Sequence, residues 1–166
     1  MSFSLEQINS LAQPDFVEAI GWVFEHSPWV AERAWSHRPF ASLEQLCDTM
    51  NAEVGAASVS ERLALLRAHP DLGTRAKISP SSASEQAGVG LDQLTPAEHF
   101  RLHELNNAWK EKFGFPFLFA VKGSDKFTIL EALEHRLKST PAAEFEEALR
   151  QVYRIARFRL EGVVTQ

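Results

Sequence analysis

Apolar residues recur along this chain at helical spacing. From Gln13-Pro14 onward, Phe16, Ile20, Val23 and Phe24 fall at i, i+4, i+7 and i+8, the stripe of a helix with one buried face. Pro28 opens a further helix. Ser42 with Gln45, and Ser58 with Glu61, have capping-box spacing ahead of Leu43, Leu46 and Met50 and of Leu63 and Leu66. Thr95-Pro96-Ala97-Glu98 joins an N-cap, a proline at the first helical position and a reciprocal glutamate. It predicts a helix through Leu102, Leu105 and Trp109 that stops at Gly114. Ser124 or Asp125 caps a segment through Leu130, Leu133 and Leu137. Thr140-Pro141 opens a last helix with Phe145, Leu149, Val152, Ala156, Leu160 and Val163 in register.

Two stretches depart from this pattern. Residues 69–90, rich in Pro, Gly and Ser, predict a long loop with at most a short helix near Ser82–Gln86. Loops of that length inside compact domains are usually functional or disordered. Phe115 to Val121 is a short apolar run whose pattern fits a strand or a buried extended segment equally. Two strands at most cannot build a sheet domain, and no repeat, charge block or linker divides the chain. The expectation is a single all-α domain over residues 1–166 with a long active-site loop.

Composition narrows the function. With 166 residues, 45% hydrophobic and 23% charged, the chain is long enough for a core that needs neither disulfides nor a structural metal. A lone Cys47 excludes an internal disulfide, a zinc finger and a thioredoxin-like pair, and points to a reducing compartment. The net charge of −5, from 17 Lys+Arg against 22 Asp+Glu scattered along the chain, disfavours binding to nucleic acid or an anionic membrane. The opening lacks a basic n-region and a long apolar core, no apolar window reaches the roughly 18 residues that span a bilayer, and Val164-Thr165-Gln166 is no peroxisomal address. A soluble cytoplasmic protein is expected.

Among the histidines, His99 and His103 stand i, i+4 on one helix. The intervening Phe-Arg-Leu lacks the Glu of a His-Glu-x-x-His site, so a metal is not expected. His26, His37 and His135 sit at helix ends or in loops and are expected to be solvated. His69 differs, because Pro70 pushes it out of the α region after a Leu-rich helix and can turn its imidazole toward a pocket. A helix C-terminal His favoured by the macrodipole fits the same position. Glu85 is a carboxylate among hydroxyls and the amide of Gln86, which suits a polar ligand, although loop glutamates are usually just solvated. Arg159 lies at the margin of the last helix's apolar stripe. A guanidinium buried there requires an anionic or carbonyl partner, from a ligand or from a structural ion pair. No dinucleotide fingerprint, Walker loop, nucleophile elbow or acidic metal cluster is present, so an enzyme built on this chain is expected to work without a bound cofactor.

These residues form an ordered set. His69-Pro-Asp-Leu72, Ser82-Ala-Ser-Glu-Gln-Ala-Gly88, Leu105-Asn106, Lys112-Phe-Gly-Phe-Pro-Phe117, Ile129-Leu130, Arg136-Leu137 and Arg159-Leu160, with Phe16-Val17 and Arg38-Pro39-Phe40 before them, closely resemble the OHCU decarboxylases. These are the 2-oxo-4-hydroxy-4-carboxy-5-ureidoimidazoline decarboxylases of urate catabolism. The resemblance covers nearly the whole chain. It implies an all-helical protein, usually a homodimer, that converts OHCU to (S)-allantoin and CO2 without a cofactor. Carried over position by position, it implies catalytic roles for His69, Glu85 and Arg159 and substrate contacts from Pro70, Ser82, Gln86 and the Phe117-Leu118-Phe119 backbone. Two other readings remain. One is a non-catalytic helical binding or adaptor module in which these residues form a structural network, and the other is a metal-dependent hydrolase using His99 and His103.

Overall fold

Helix starts in the computed structural model, which describes residues 1–74 and 78–166, follow the capping signals closely. α1 (Leu5–Ser10) begins on a capping box between Ser4 and Gln7. α2 (Gln13–Ile20) carries Pro14 in its first turn and runs into a 3₁₀ turn over Gly21–Val23. α3 (Trp29–Ala34) follows Pro28, α4 (Leu43–Ala56) is capped by Ser42, and α5 (Val59–Arg67) by the reciprocal Ser58–Glu61 box. After these come α6 (Pro80–Ala87), α7 (Pro96–Phe113), α8 (Lys126–Arg136) and α9 (Pro141–Val163). The two short strands β1 (Phe3–Ser4) and β2 (Val164–Thr165) pair in parallel, Phe3 opposite Val164, so the protein is all-α in class. No helix of the described residues is long and apolar enough to cross a membrane.

The chain packs as two compact units, residues 1–68 with 152–166, and residues 69–151. In the first, α3 packs on α2 and α4 around Ile8, Phe16, Ile20, Leu46 and Met50, all fully buried, and the Phe16 and Phe40 rings stack 6.2 Å apart. Arg38 donates from Nη1 to the carbonyls of Asn9 and Leu11 at 2.9 and 2.8 Å, satisfying acceptors that the end of α1 leaves open. His37 is exposed, as expected, and its Nε2 also pairs with Glu53 Oε1 at 2.8 Å. Cys47 is buried on α4, and burial pushes its thiol up to about 11, the opposite of what a nucleophile needs.

In the second unit α7 packs on α8, and Leu102, Trp109, Phe117, Leu118, Ile129 and Leu133 form the core. α7 has every predicted feature: the Thr95–Glu98 box, Pro96 at its start and Gly114 at φ 78° as a left-handed stop. The 69–90 stretch is more ordered than expected, since the short helix expected near Ser82–Gln86 is present and longer, α6 covering Pro80–Ala87. Ser79 accepts from the Ser82 N–H and Pro80 sits at the first helical position, the signals that open α7, but without an apolar stripe behind them. Residues 75–77, part of the same loop reading, lie outside the described residues. The apolar run from Phe115 to Val121 forms neither helix nor strand and is buried apart from the half-buried Phe119. Side chains take the place of a ladder. Arg136 Nη1 donates to Leu118 O at 2.9 Å, and the Ala120 N–H donates to Gln151 Oε1 at 3.0 Å.

Candidate functional site

His69 is buried at the head of the second unit, just past the C-cap of α5 at Ala68, as expected from the proline behind it. The turn that follows it is held by three side chains from two helices. Gln86 on α6 accepts the Gly73 N–H at 2.8 Å, Asn106 on α7 donates to Leu72 O at 2.9 Å, and Lys110 on α7 pairs with Asp71 at 2.7 Å. Thr74 N–H closes the turn on Asp71 O at 3.3 Å, with Gly73 at φ 73°. That conformation favours glycine, and a Cβ at Gly73 would stand 2.5 Å from Leu102 Cδ2.

The same clamp brings in α6. As a helix, it sets Ser82, Glu85 and Gln86 at i, i+3 and i+4, on a single face. Ser82 and Gln86 are buried and Glu85 is half-buried. The bond from Gly73 to Gln86 ties that face to the Asp71–Thr74 turn, which follows His69-Pro70 in the chain. A cavity of about 220 Å³ opens beside the turn, between Asp71–Thr74 and the α7 residues His99, His103, Asn106 and Lys110.

Phe117 and Leu118 contribute buried side chains to the core of the second unit, and Phe119 is half-buried with its ring stacked on Phe117 at 5.9 Å. Their segment is pinned by Arg136, whose guanidinium lies 4.6 Å from the Phe117 ring centroid and makes two bonds, 2.9 and 2.7 Å, to Glu144 Oε1. Arg136, Glu144, Gln151 and Asn106 were not singled out as site supports in the sequence. Arg136 and Asn106 stood inside the family-like motifs, but only packing reveals what they hold.

Arg159 belongs to the first unit. It is buried and pairs with Glu25, Nη1 to Oε2 at 2.8 Å. Of the two partners considered for a buried arginine, the intramolecular carboxylate is therefore present. Glu25 had no signal in the sequence, being one acid among many at the end of an apolar stretch. His99 and His103 stay near the protein surface, with His103 Nε2 3.2 Å from Asn107 Nδ2. Among the described residues no group of three or more His, Cys, Asp or Glu could share a metal ion.

The helical second unit carries an imidazole, a hydroxyl, an amide and a carboxylate at His69, Ser82, Gln86 and Glu85, the kinds of group that acid–base enzymes use on small polar molecules. Comparison with known proteins identifies the particular group. The family model described as OHCU decarboxylase matches residues 9–161, and this chain belongs to that family. It is 45% identical to the 2-oxo-4-hydroxy-4-carboxy-5-ureidoimidazoline decarboxylase of Halalkalicoccus jeotgali over 95% of this chain and 90% of that protein. The protein of the same name from Haloferax volcanii is also 45% identical, over 95% of this chain and 94% of its own length. Among solved structures, an (S)-allantoin synthase superposes with a TM-score of 0.80 at 34% identity. The match covers 96% of this chain but only 54% of that one.

Proposed function

We propose that this protein decarboxylates 2-oxo-4-hydroxy-4-carboxy-5-ureidoimidazoline to (S)-allantoin in urate degradation, as a cytoplasmic homodimer that uses no cofactor. Membership of the OHCU decarboxylase family along almost the whole chain carries the reading. The substrate supplies its own electron sink. Its carboxylate sits on a ring carbon that also bears a hydroxyl and adjoins a ring C=N. When the bond to the carboxylate breaks, its electron pair forms a carbon–carbon double bond and the imine pair moves to nitrogen, which takes up a proton. Loss of the hydroxyl proton and protonation of the carbon bearing the ureido group then give allantoin.

His69 is the general base at the hydroxyl, and its clamped turn keeps it in place. Glu85 orients the imidazole or accepts from the ureido N–H groups. Ser82 and Gln86, on the same α6 face, hold the ring, with Pro70 and the Phe117-Leu118-Phe119 segment forming its surroundings. Arg159 holds an anionic or carbonyl oxygen of the substrate.

The test is to generate OHCU in situ from urate with the two preceding enzymes and to follow allantoin by circular dichroism. OHCU also decays unaided to racemic allantoin, so the reading requires one enantiomer formed faster than the blank. His69→Ala should lower kcat/KM by about 10²–10⁴-fold. A wild-type protein that leaves the racemic course unchanged refutes the function, and an active His69→Ala variant refutes only the role of His69.

A further inference from the structure

We propose that Glu25 is the positioning residue of Arg159, building with its own turn the socket that sets the direction of the guanidinium toward substrate. The proposal rests on the assignment of Arg159 to a substrate oxygen. α9 carries Arg150, Arg154, Arg157 and Arg159. Arg150 pairs with Glu147, and Arg157 with Glu44 and Glu161, in water, their side chains 63% and 43% exposed. Arg159 alone among the four is drawn inside, with 4% of its side chain exposed against 1% for Glu25. A charge pair buried so completely is a poor source of stability, because desolvation offsets most of the attraction and an apolar pair of similar size packs as well. What such a pair does supply is direction, since a planar guanidinium whose Nη1 meets a buried carboxylate and two backbone carbonyls has little room to turn.

The turn that carries Glu25 is built around the same nitrogen. Besides Glu25 Oε2 at 2.8 Å, Arg159 Nη1 faces the carbonyls of Trp22 and Val23 at 3.5 and 3.4 Å. Ser27 N–H donates to Phe24 O at 3.1 Å, and Ser27 Oγ donates to Glu25 O at 2.9 Å, closing the backbone on either side of the glutamate. His26 takes the strain of that closure. Among the described residues it alone, apart from glycines, has a positive φ, at 47°. The chain thus adopts an unfavourable conformation immediately after the residue that meets Arg159.

The test compares Glu25→Asp, Glu25→Gln, Arg159→Lys and the Glu25→Asp/Arg159→Lys double variant in the in situ OHCU assay, with folding checked by circular dichroism and thermal melting. Glu25→Asp keeps the charge but withdraws the carboxylate by one methylene, so it should stay folded even where Glu25→Gln, which leaves a buried arginine uncompensated, does not. The expected result is a loss of about tenfold or more in kcat/KM for Glu25→Asp, carried in a raised KM, as in Arg159→Lys. The double variant should lie within about twofold of Arg159→Lys, because residues acting through one another do not add. A merely structural glutamate would lower the folded fraction, and so the apparent kcat, with KM unmoved. That result, wild-type kinetics in a folded Glu25→Asp variant, or losses that multiply in the double variant each overturn the proposal. Wild-type protein without any effect on OHCU would instead overturn the function on which it rests.

Discussion

At the scale of single residues, the turn after His69 shows how a backbone position is chosen by its neighbours. Gly73 adopts φ 73° and Gly123 φ 81°, so both avoid the cost that a Cβ adds in the left-handed region. Only at Gly73 is the space also taken, by Leu102 in the core of the second unit, whereas nothing lies within 4 Å of a Cβ at Gly123. Gly123→Ala should therefore cost about 1–2 kcal/mol, and Gly73→Ala about 1–3 kcal/mol more, read as urea midpoints of the two variants. Equal losses would mean that the Leu102 approach contributes nothing. Glycine was legible at both positions, but nothing in the sequence distinguishes one from the other. The difference comes from a leucine 29 positions along, brought in by packing.

At the scale of elements, α7 is the helix most completely written in its own sequence. Its N-terminus is held by Glu98, which accepts the Thr95 N–H and also meets Lys126 Nζ of α8 at 2.8 Å. The lysine first, and the Thr95 N–H second, hold the Glu98 carboxyl below its ordinary value. A carboxylate lowered in the folded state stabilises above its unfolded value and loses that contribution as pH falls through the folded one. Melting temperatures of wild type and Glu98→Gln should thus differ at pH 7 and converge in the acid range below the usual carboxylate titration. A gap that persists at low pH would refute the charge-based account. α6 teaches the converse. It has the same cap and proline as α7, but a short helix that buries Ser82 and Gln86 shows no apolar stripe, so its sequence resembles a loop. Its helicity depends on bonds such as the one from Gly73 to Gln86, and these exist only in the folded chain.

At the scale of the whole molecule, the homodimer proposed from the family resemblance is tested by sedimentation equilibrium, which should give twice the chain mass at micromolar concentration; a single chain mass refutes it. The class of the fold and the membership of the family were determined by the sequence alone. Helical periodicity and caps are local, and motif order survives being read as a string. The candidate site residues His69, Ser82, Glu85, Gln86 and Arg159 were nameable in the same way. Tertiary structure alone decided how the site segments are held: Asn106 and Gln86 on the turn after His69, Arg136 and Gln151 on the apolar segment from Phe115, and Glu25 on Arg159. Each of these supports lies from 13 to 134 positions away from what it holds. Its identity is therefore settled by which buried donors and acceptors meet once the core closes, a condition that no local pattern encodes.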